Sequence, residues 1–187
     1  MYEVKNMKKR WILAFMAVCM LAGCGKKSPI DEEIGTSYRN DVPAQTLVEA
    51  VASEFGEDYW ANADLAPEYL DDWFGVSEDM YDDFYGQTPM ISVNVDTLLV
   101  IKAKEDQIEN VENSLDTYKE AMVQDTMQYP INIPKIQAAR IETFGNYVCY
   151  VQLGADKGSG EDEEAAVKAC QEMNDRALAV IEGKLTQ

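Results

Sequence analysis

The residues best suited to chemistry lie in one acidic and aromatic stretch, from residue 54 to residue 85. Its carboxylates and rings include Glu57, Asp58, Asp64, Asp71, Asp72, Glu78, Asp79, Asp82 and Asp83, with Tyr59, Trp60, Trp73, Phe74, Tyr81 and Tyr85. Carboxylates ligate hard cations such as calcium, and aromatic rings stack on sugars or on peptide side chains. The stretch therefore suggests a cation site or a ligand-binding surface, and each has a simpler structural alternative.

The case for calcium depends on a predicted helix over residues 78–85. In a helix, Glu78 would face Asp82 and Asp79 would face Asp83, and a bound cation would relieve the repulsion within each pair. However, the stretch contains no loop with the alternating Asp/Asn pattern and central glycine of a dedicated calcium site. We therefore predict no cofactor, with calcium as the alternative to a solvated acidic face.

The aromatic residues divide by their spacing. Leu70, Trp73 and Phe74 recur at helical intervals, which predicts that they pack beneath a sheet. Trp60 and Tyr85 lie outside that pattern. Together with Asp82 and Asp83, these two residues are our candidate surface for a glycan or a peptide, with ordinary packing as the alternative.

The composition argues against most catalytic sites. The chain contains no histidine, which removes the commonest general base and metal ligand. No serine or cysteine lies in a nucleophile elbow, and no glycine-rich loop is suited to holding phosphate. We predict no catalytic residues, no metal ligands and no enzymatic activity, with a two-carboxylate hydrolase of the cell envelope as the alternative.

The first residues have the three parts of a secretory signal. Basic residues (Lys5, Lys8, Lys9 and Arg10) precede an apolar run, and small residues follow it. The segment Leu21-Ala22-Gly23-Cys24 matches the bacterial lipobox, at which the cysteine is acylated and the chain is cut before it. We therefore expect a signal peptide at 1–23, a lipidated Cys24 with a flexible tether at 24–40, and a single domain at 41–187.

Charge limits the partners of the mature chain. Residues 1–23 hold four basic residues and one acid, so the rest carries 12 basic and 33 acidic residues, a net charge of −21. This surface repels nucleic acid and anionic lipid. The expected contacts are membrane lipid through Cys24 and, as a further possibility, another envelope protein.

The order of predicted elements indicates an α+β fold. We predict an N-terminal helix ending at Phe55, short helices near 70–74 and 80–85, and a strand at 91–101. A helix at 106–122, strands at 135–144 and 147–153 joined by Gly145-Asn146, and a C-terminal helix from about Ser159 to Gly183 follow. The first two strands are expected to be parallel, giving a small mixed three-stranded sheet (β-α-β-β) with helices on one side. Cys149 and Cys170 are predicted to be buried thiols, with a disulfide between them as the alternative.

Several short segments resemble one protein family. Besides Leu21–Cys24, they are Asn94-Val95-Asp96-Thr97-Leu98-Leu99-Val100-Ile101-Lys102-Ala103, Tyr129-Pro130 and Phe144-Gly145-Asn146-Tyr147-Val148. With these motifs the chain resembles domain-of-unknown-function family 4358, which comprises short lipoproteins of anaerobic Firmicutes. The resemblance extends from the first helix to the last strand and implies a position on the outer face of a Gram-positive cell membrane. It implies no activity.

Taken together, the sequence predicts a membrane-tethered, non-enzymatic interaction or binding module at the cell surface. The alternatives are a lipoprotein that captures a solute, glycan or peptide, and the carboxylate hydrolase. The ligand, the oligomeric state and the choice between Met1 and Met7 as the start are left open.

Overall fold

The computed structural model describes residues 36–91, 93–154 and 162–187, so the predicted signal and most of the tether lie outside it. Its helices are α1 (Ala44–Phe55), α2 (Pro67–Phe74), α3 (Ile108–Gln124), α4 (Ile133–Gln137) and α5 (Glu163–Leu185). Its strands are β1 (Ala63–Asp64), β2 (Tyr81–Thr88), β3 (Thr97–Ala103), β4 (Arg140–Phe144) and β5 (Tyr147–Gln152). Short 3₁₀ turns lie at Gly56–Asp58, Glu78–Met80 and Pro130–Asn132.

The strands form one antiparallel sheet in the order β1-β2-β3-β5-β4. The hairpin between β4 and β5 turns at Gly145-Asn146, as predicted. Gly145 has a φ of +60°, a conformation that glycine adopts without a Cβ clash. The α+β class is confirmed, with an N-terminal and a C-terminal helix flanking the sheet.

The prediction of a mixed, three-stranded sheet is wrong in strand number and pairing. The first two predicted strands correspond to β3 and β4, which do run in the same direction because both are antiparallel to β5. However, β5 lies between them, so they form no parallel pair. The two further strands, β1 and β2, lie in the acidic stretch for which the sequence suggested only helices.

A bulge explains why β2 imitates a helix. The pairing of β2 with β3 shifts by one residue between Tyr81 and Asp83. Because of this extra residue, Tyr81 and Phe84 lie on the same face although they are three positions apart, and their rings meet edge to face at 5.2 Å. A spacing of three is also typical of a helix, which is why the pattern was misleading.

Two other strand boundaries also differ from the prediction. Residues 91–96 do not join β3, because Asn94 N donates to Ile91 O and the Asn94 side chain accepts from Asp96 N, which turns the chain. Residues 135–137, predicted to open a strand, belong instead to α4, with Pro134 in the first helical turn, where proline costs no hydrogen bond.

The sheet is covered on both faces, not on one. Leu98 and Val100 of β3 pack with α1 and α5 in one apolar cluster, while Leu99 and Ile101 pack with α2 and α3 in the other. Because β3 is buried on both faces, its sequence is almost continuously apolar. Cys149 and Cys170 are buried as thiols and are not joined to each other, which agrees with the prediction.

None of the helices within the described ranges is long and apolar enough to cross a membrane.

The C-terminal helix begins after Asp162, whose carboxylate accepts a hydrogen bond from Glu164 N at 3.3 Å. The predicted start of this helix, near Ser159, lies outside the described residues. The helix continues through Gly183 to Leu185, two residues beyond the predicted end.

Candidate functional site

A lysine and an aspartate form a fully buried ion pair at the end of the sheet where β3 begins. Lys135 Nζ, on α4, lies 2.7 Å from Oδ1 of Asp96, and the two side chains are 1% and 0% exposed. The lysine stem packs so closely on Gly154 that a Cβ there would lie 2.6 Å from Lys135 Cγ. Burying two charges costs several kcal/mol per ion, and their mutual attraction offsets this cost only when the geometry is good. The pair therefore depends on precise packing of the residues around it.

Amide side chains surround the ion pair and connect the loops above it. The Asn94 Oδ1 atom accepts from Lys135 Nζ at 3.0 Å, and Asn132 Nδ2 donates to Val93 O at 3.1 Å. Two polar atoms in this group, Asn94 Nδ2 and Asn132 Oδ1, are buried without a hydrogen-bond partner in the described part of the chain. The segment before β3 and the segment before α4 are therefore held together as one unit, at some cost in unsatisfied amides.

These two segments, residues 88–95 and 126–134, contain no charged residue, although 27% of the chain is charged. We call them the uncharged loops. They contain seven of the eleven large hydrophobic side chains that are exposed among the described residues: Met90, Ile91, Val93, Met127, Tyr129, Ile131 and Ile133. Met90 and Met127 are 85% and 86% exposed. An uncharged apolar surface on so acidic a domain is typical of a contact site for another molecule.

A cleft of about 220 Å³ opens beside the first of the uncharged loops, residues 88–95. Its walls come from β1 and its flanks, α2, α3 and the segment before β3, and include Leu65, Trp73, Phe74, Ile91, Val95, Tyr118 and Met122. Burial raises the pKa of Tyr118 to about 12, so this phenol keeps its proton further into the alkaline range than an exposed tyrosine does. Asn94 and Thr97 are among the polar residues at the cleft, which is otherwise an apolar site suited to an apolar group.

The residues predicted as a ligand surface lie elsewhere. Trp60 is exposed in the segment after α1. Tyr85 lies on the α1 face of β2, and its hydroxyl donates to Asp64 Oδ1 at 2.5 Å and so raises the pKa of Tyr85 to about 12. The same hydrogen bond holds the pKa of Asp64 below its ordinary value. Neither Trp60 nor Tyr85 lines the cleft.

The two predicted acids have different environments. Asp83 Oδ2 accepts a hydrogen bond from Ala44 N at 2.8 Å, so it satisfies a free backbone donor at the start of α1. Asp82 is exposed. Since both lie on a strand, the helical pairs that motivated calcium do not form, and the described residues contain no group of three or more Cys, Asp or Glu that could hold a metal ion. Trp73 also differs from its prediction, because it is half exposed rather than buried.

Residues 56–153 match the family model described as Domain of unknown function (DUF4358). The chain belongs to this family. No curated protein and no solved structure matches the chain. The DUF4358 match begins after α1 and ends before α5, so it contains the sheet, the ion pair, both uncharged loops and the cleft.

Sequence reasoning missed this end of the DUF4358 domain. Asp96 and Lys135 are far apart in the chain, and nothing in their local sequence predicts that they meet. The uncharged loops did carry a readable signal, since two segments without charge stand out in a strongly acidic chain. That signal indicates a surface only when the fold shows that the residues are not core.

Proposed function

We propose that this protein is an exported lipoprotein, anchored through Cys24, whose domain is a non-enzymatic interaction module that binds a partner protein outside the cytoplasm. The observation that carries the proposal is the apolar surface of the two uncharged loops. An isolated exposed methionine or isoleucine needs no explanation, but two neighbouring uncharged loops that expose seven large apolar side chains are a liability for solubility unless they are covered. The hydrogen bond from Asn132 to Val93 keeps the two loops together, so the surface is preformed.

The position of this surface supports a partner rather than the anchoring membrane. The chain enters the domain beside the β4–β5 hairpin, where the Tyr38 ring packs on Phe144 at 5.5 Å and Arg39 N donates to Leu185 O. The uncharged loops lie at the other end of the sheet, which β5 separates from the hairpin by about 17 Å. A tether attached at the hairpin end leaves the apolar surface free to face away from the membrane.

The size and lining of the cleft support binding rather than catalysis or solute capture. Small-molecule sites usually enclose about 300–1,000 Å³, whereas this cleft measures about 220 Å³. No carboxylate is among the described residues that line it. A single apolar side chain from a partner protein is the occupant that suits such a cleft.

Site-specific photo-crosslinking in intact cells tests the binding surface. A benzophenone amino acid at Met127, and separately at Met90, is expected to give a discrete crosslinked product with another envelope protein. The matched control is Lys184, which is exposed near the hairpin end. If the two methionine positions give no more product than Lys184, the binding surface is assigned wrongly.

The anchor has its own test. Replacing Cys24 with serine is expected to move the protein from the membrane fraction to the medium or to the unprocessed precursor, because acylation requires the thiol. The intact mass of the N-terminal fragment of the unaltered protein should show a chain that begins at residue 24 with diacylglycerol attached. A mature protein that begins elsewhere, or that carries no lipid, would exclude the lipoprotein assignment.

A further inference from the structure

The exposed side of α2 carries an aromatic pair at the cleft and carboxylates at neighbouring positions of the helix. Tyr69 and Trp73 stack with their ring centroids 4.3 Å apart and are 41% and 50% exposed. Trp73 also forms part of the cleft wall. The exposed face of the same helix carries Glu68, Asp71 and Asp72, and none of the three makes an ion pair within the described ranges. Aromatic ring faces and carboxylates both attract cations, so the exposed side of this helix is suited to positively charged groups.

The cleft itself takes an apolar group of limited size. Cavities of about 150 Å³ with apolar walls hold a benzene ring, so 220 Å³ accommodates one leucine, methionine or phenylalanine side chain. Trp73, in the cleft wall, directly follows Asp72 in α2. An apolar side chain in the cleft would therefore place its neighbours in the partner chain close to the carboxylates of α2.

Charge selects among the possible occupants. The chain carries a net charge of −18, so a second copy would bring two strongly acidic surfaces together, and an anionic membrane would be repelled. A cationic segment gains from the carboxylates while its apolar side chain enters the cleft. Resting on the proposed binding function, we propose that the partner presents a cationic amphipathic segment, with one apolar side chain in the cleft and lysine or arginine on α2.

The test uses two dye-labelled peptides with the same leucine pattern, one with lysine and one with glutamate at the polar positions. Fluorescence polarisation measures their binding to the intact chain in nanodiscs of zwitterionic lipid, with empty nanodiscs as the blank. The lysine peptide is expected to bind, and its affinity should fall as salt rises from 50 to 200 mM. The glutamate peptide is expected not to bind. Equal binding of the two peptides would overturn the proposal.

Variants separate this site from a general attraction to an acidic protein. Trp73→Ala, and the triple exchange Glu68→Gln/Asp71→Asn/Asp72→Asn, are each expected to weaken binding of the lysine peptide at least tenfold. The matched control is Glu163→Gln/Glu164→Gln/Glu172→Gln, which removes the same number of exposed carboxylates from α5. This control should weaken binding of the lysine peptide less than twofold. Equal losses in the two triple variants, or no loss in either α2 variant, would overturn the proposal.

Folding of each variant is checked by circular dichroism. Ile91→Ser, at the half-exposed edge of the cleft, provides a second test if Trp73→Ala is unstable. This variant is expected to weaken binding of the lysine peptide severalfold. Unchanged binding would contradict the role of the cleft in holding the apolar side chain. Crosslinking at Met127 in cells, combined with failure of the lysine peptide, would reject the cationic segment and leave the binding function in place.

Discussion

The two ends of the sheet are built in different ways. At the hairpin end, the buried Tyr147 hydroxyl donates to Val42 O at 2.7 Å and accepts from Val42 N at 3.1 Å, so the polar groups there satisfy one another. At the other end, apolar side chains of the uncharged loops face outward, while the ion pair of Lys135 and Asp96 lies fully buried beneath them.

This difference contrasts an end that follows the rules of a stable core with the end that carries the surface proposed for binding. The hairpin end follows the usual rule that apolar groups are buried and buried polar groups are paired. The loop end departs from it, because apolar side chains are exposed there and two buried amide atoms lack partners in the described part of the chain. Local departures from the usual rules are expected at functional sites, which agrees with the binding role proposed for this end.

The largest expected effect comes from breaking the ion pair. Lys135→Met should lower the free energy of unfolding by about 3–5 kcal/mol, because it leaves the Asp96 carboxylate buried without its cation. Urea unfolding measures the change. Lys135→Met combined with Asp96→Asn should be less destabilised than the single variant, because no uncompensated charge is left in the interior. A double variant that loses the sum of both single effects would show that the pair adds no coupling.

The hairpin end should respond by a smaller amount. Tyr147→Phe removes the hydroxyl that serves both the N–H and the carbonyl of Val42, and should cost about 1–3 kcal/mol in the same urea experiment. If Tyr147→Phe loses more free energy of unfolding than Lys135→Met does, the hairpin end is the more sensitive of the two, which contradicts this comparison.

Alkaline pH tests the cleft wall. Burial raises the pKa of Tyr118 to about 12, so the folded state holds this proton more tightly than the unfolded state, whose tyrosine titrates near 10. The contribution of the protonated Tyr118 to the free energy of unfolding is fully present below pH 10. It is lost as pH rises towards 12, by an amount on the order of 1 kcal/mol. Tyr118→Phe should reduce the slope of stability against pH in this window. An unchanged slope would place the titration elsewhere, for example at Tyr150, whose pKa burial also raises.

The smallest effect on stability is expected in the uncharged loops. Met90→Ser and Met127→Ser should change the free energy of unfolding by no more than about 0.5 kcal/mol, because both side chains are already in solvent. Thermal melting measures this directly. A loss of 2 kcal/mol or more, as is typical of truncating a buried side chain, would mean that the methionines stabilise the fold and would weaken the case for a binding surface.

The sequence predicted elements well where one pattern was decisive. The apolar spacing of α1, α3 and α5 and the Gly145-Asn146 turn gave helices and a hairpin at the observed places. The prediction failed at β2, where a bulge produced a helical spacing, and at residues 91–96, where the side chain of Asn94 ended an alternating pattern before it became a strand. In both cases a local irregularity changed which residues share a face, and periodicity alone does not encode it.

The candidate site was less predictable than the fold. The predicted surface combined Trp60 and Tyr85, which lie outside the helical spacing of their acidic stretch, with the neighbouring Asp82 and Asp83. In the structure, the Asp83 carboxylate accepts a hydrogen bond from a backbone N–H at the start of α1, and the Tyr85 hydroxyl donates to Asp64. Density of acids did not identify a shared surface, because the antiparallel strands and the two faces of the sheet distribute neighbouring residues to different sides.

By itself, the sequence determined the family, the α+β class, the acidic charge and the expectation of an anchored, exported chain, because each depends on composition or on residues close together in the chain. Only the tertiary structure decided the strand order, the burial of Lys135 against Asp96, and the exposure of apolar residues that the sequence placed in a strand. Those features depend on which distant segments pack together. Whether Ile91 and Val93 are core or surface is fixed by the turn that ends before Thr97 and by the loop that Asn132 binds to it.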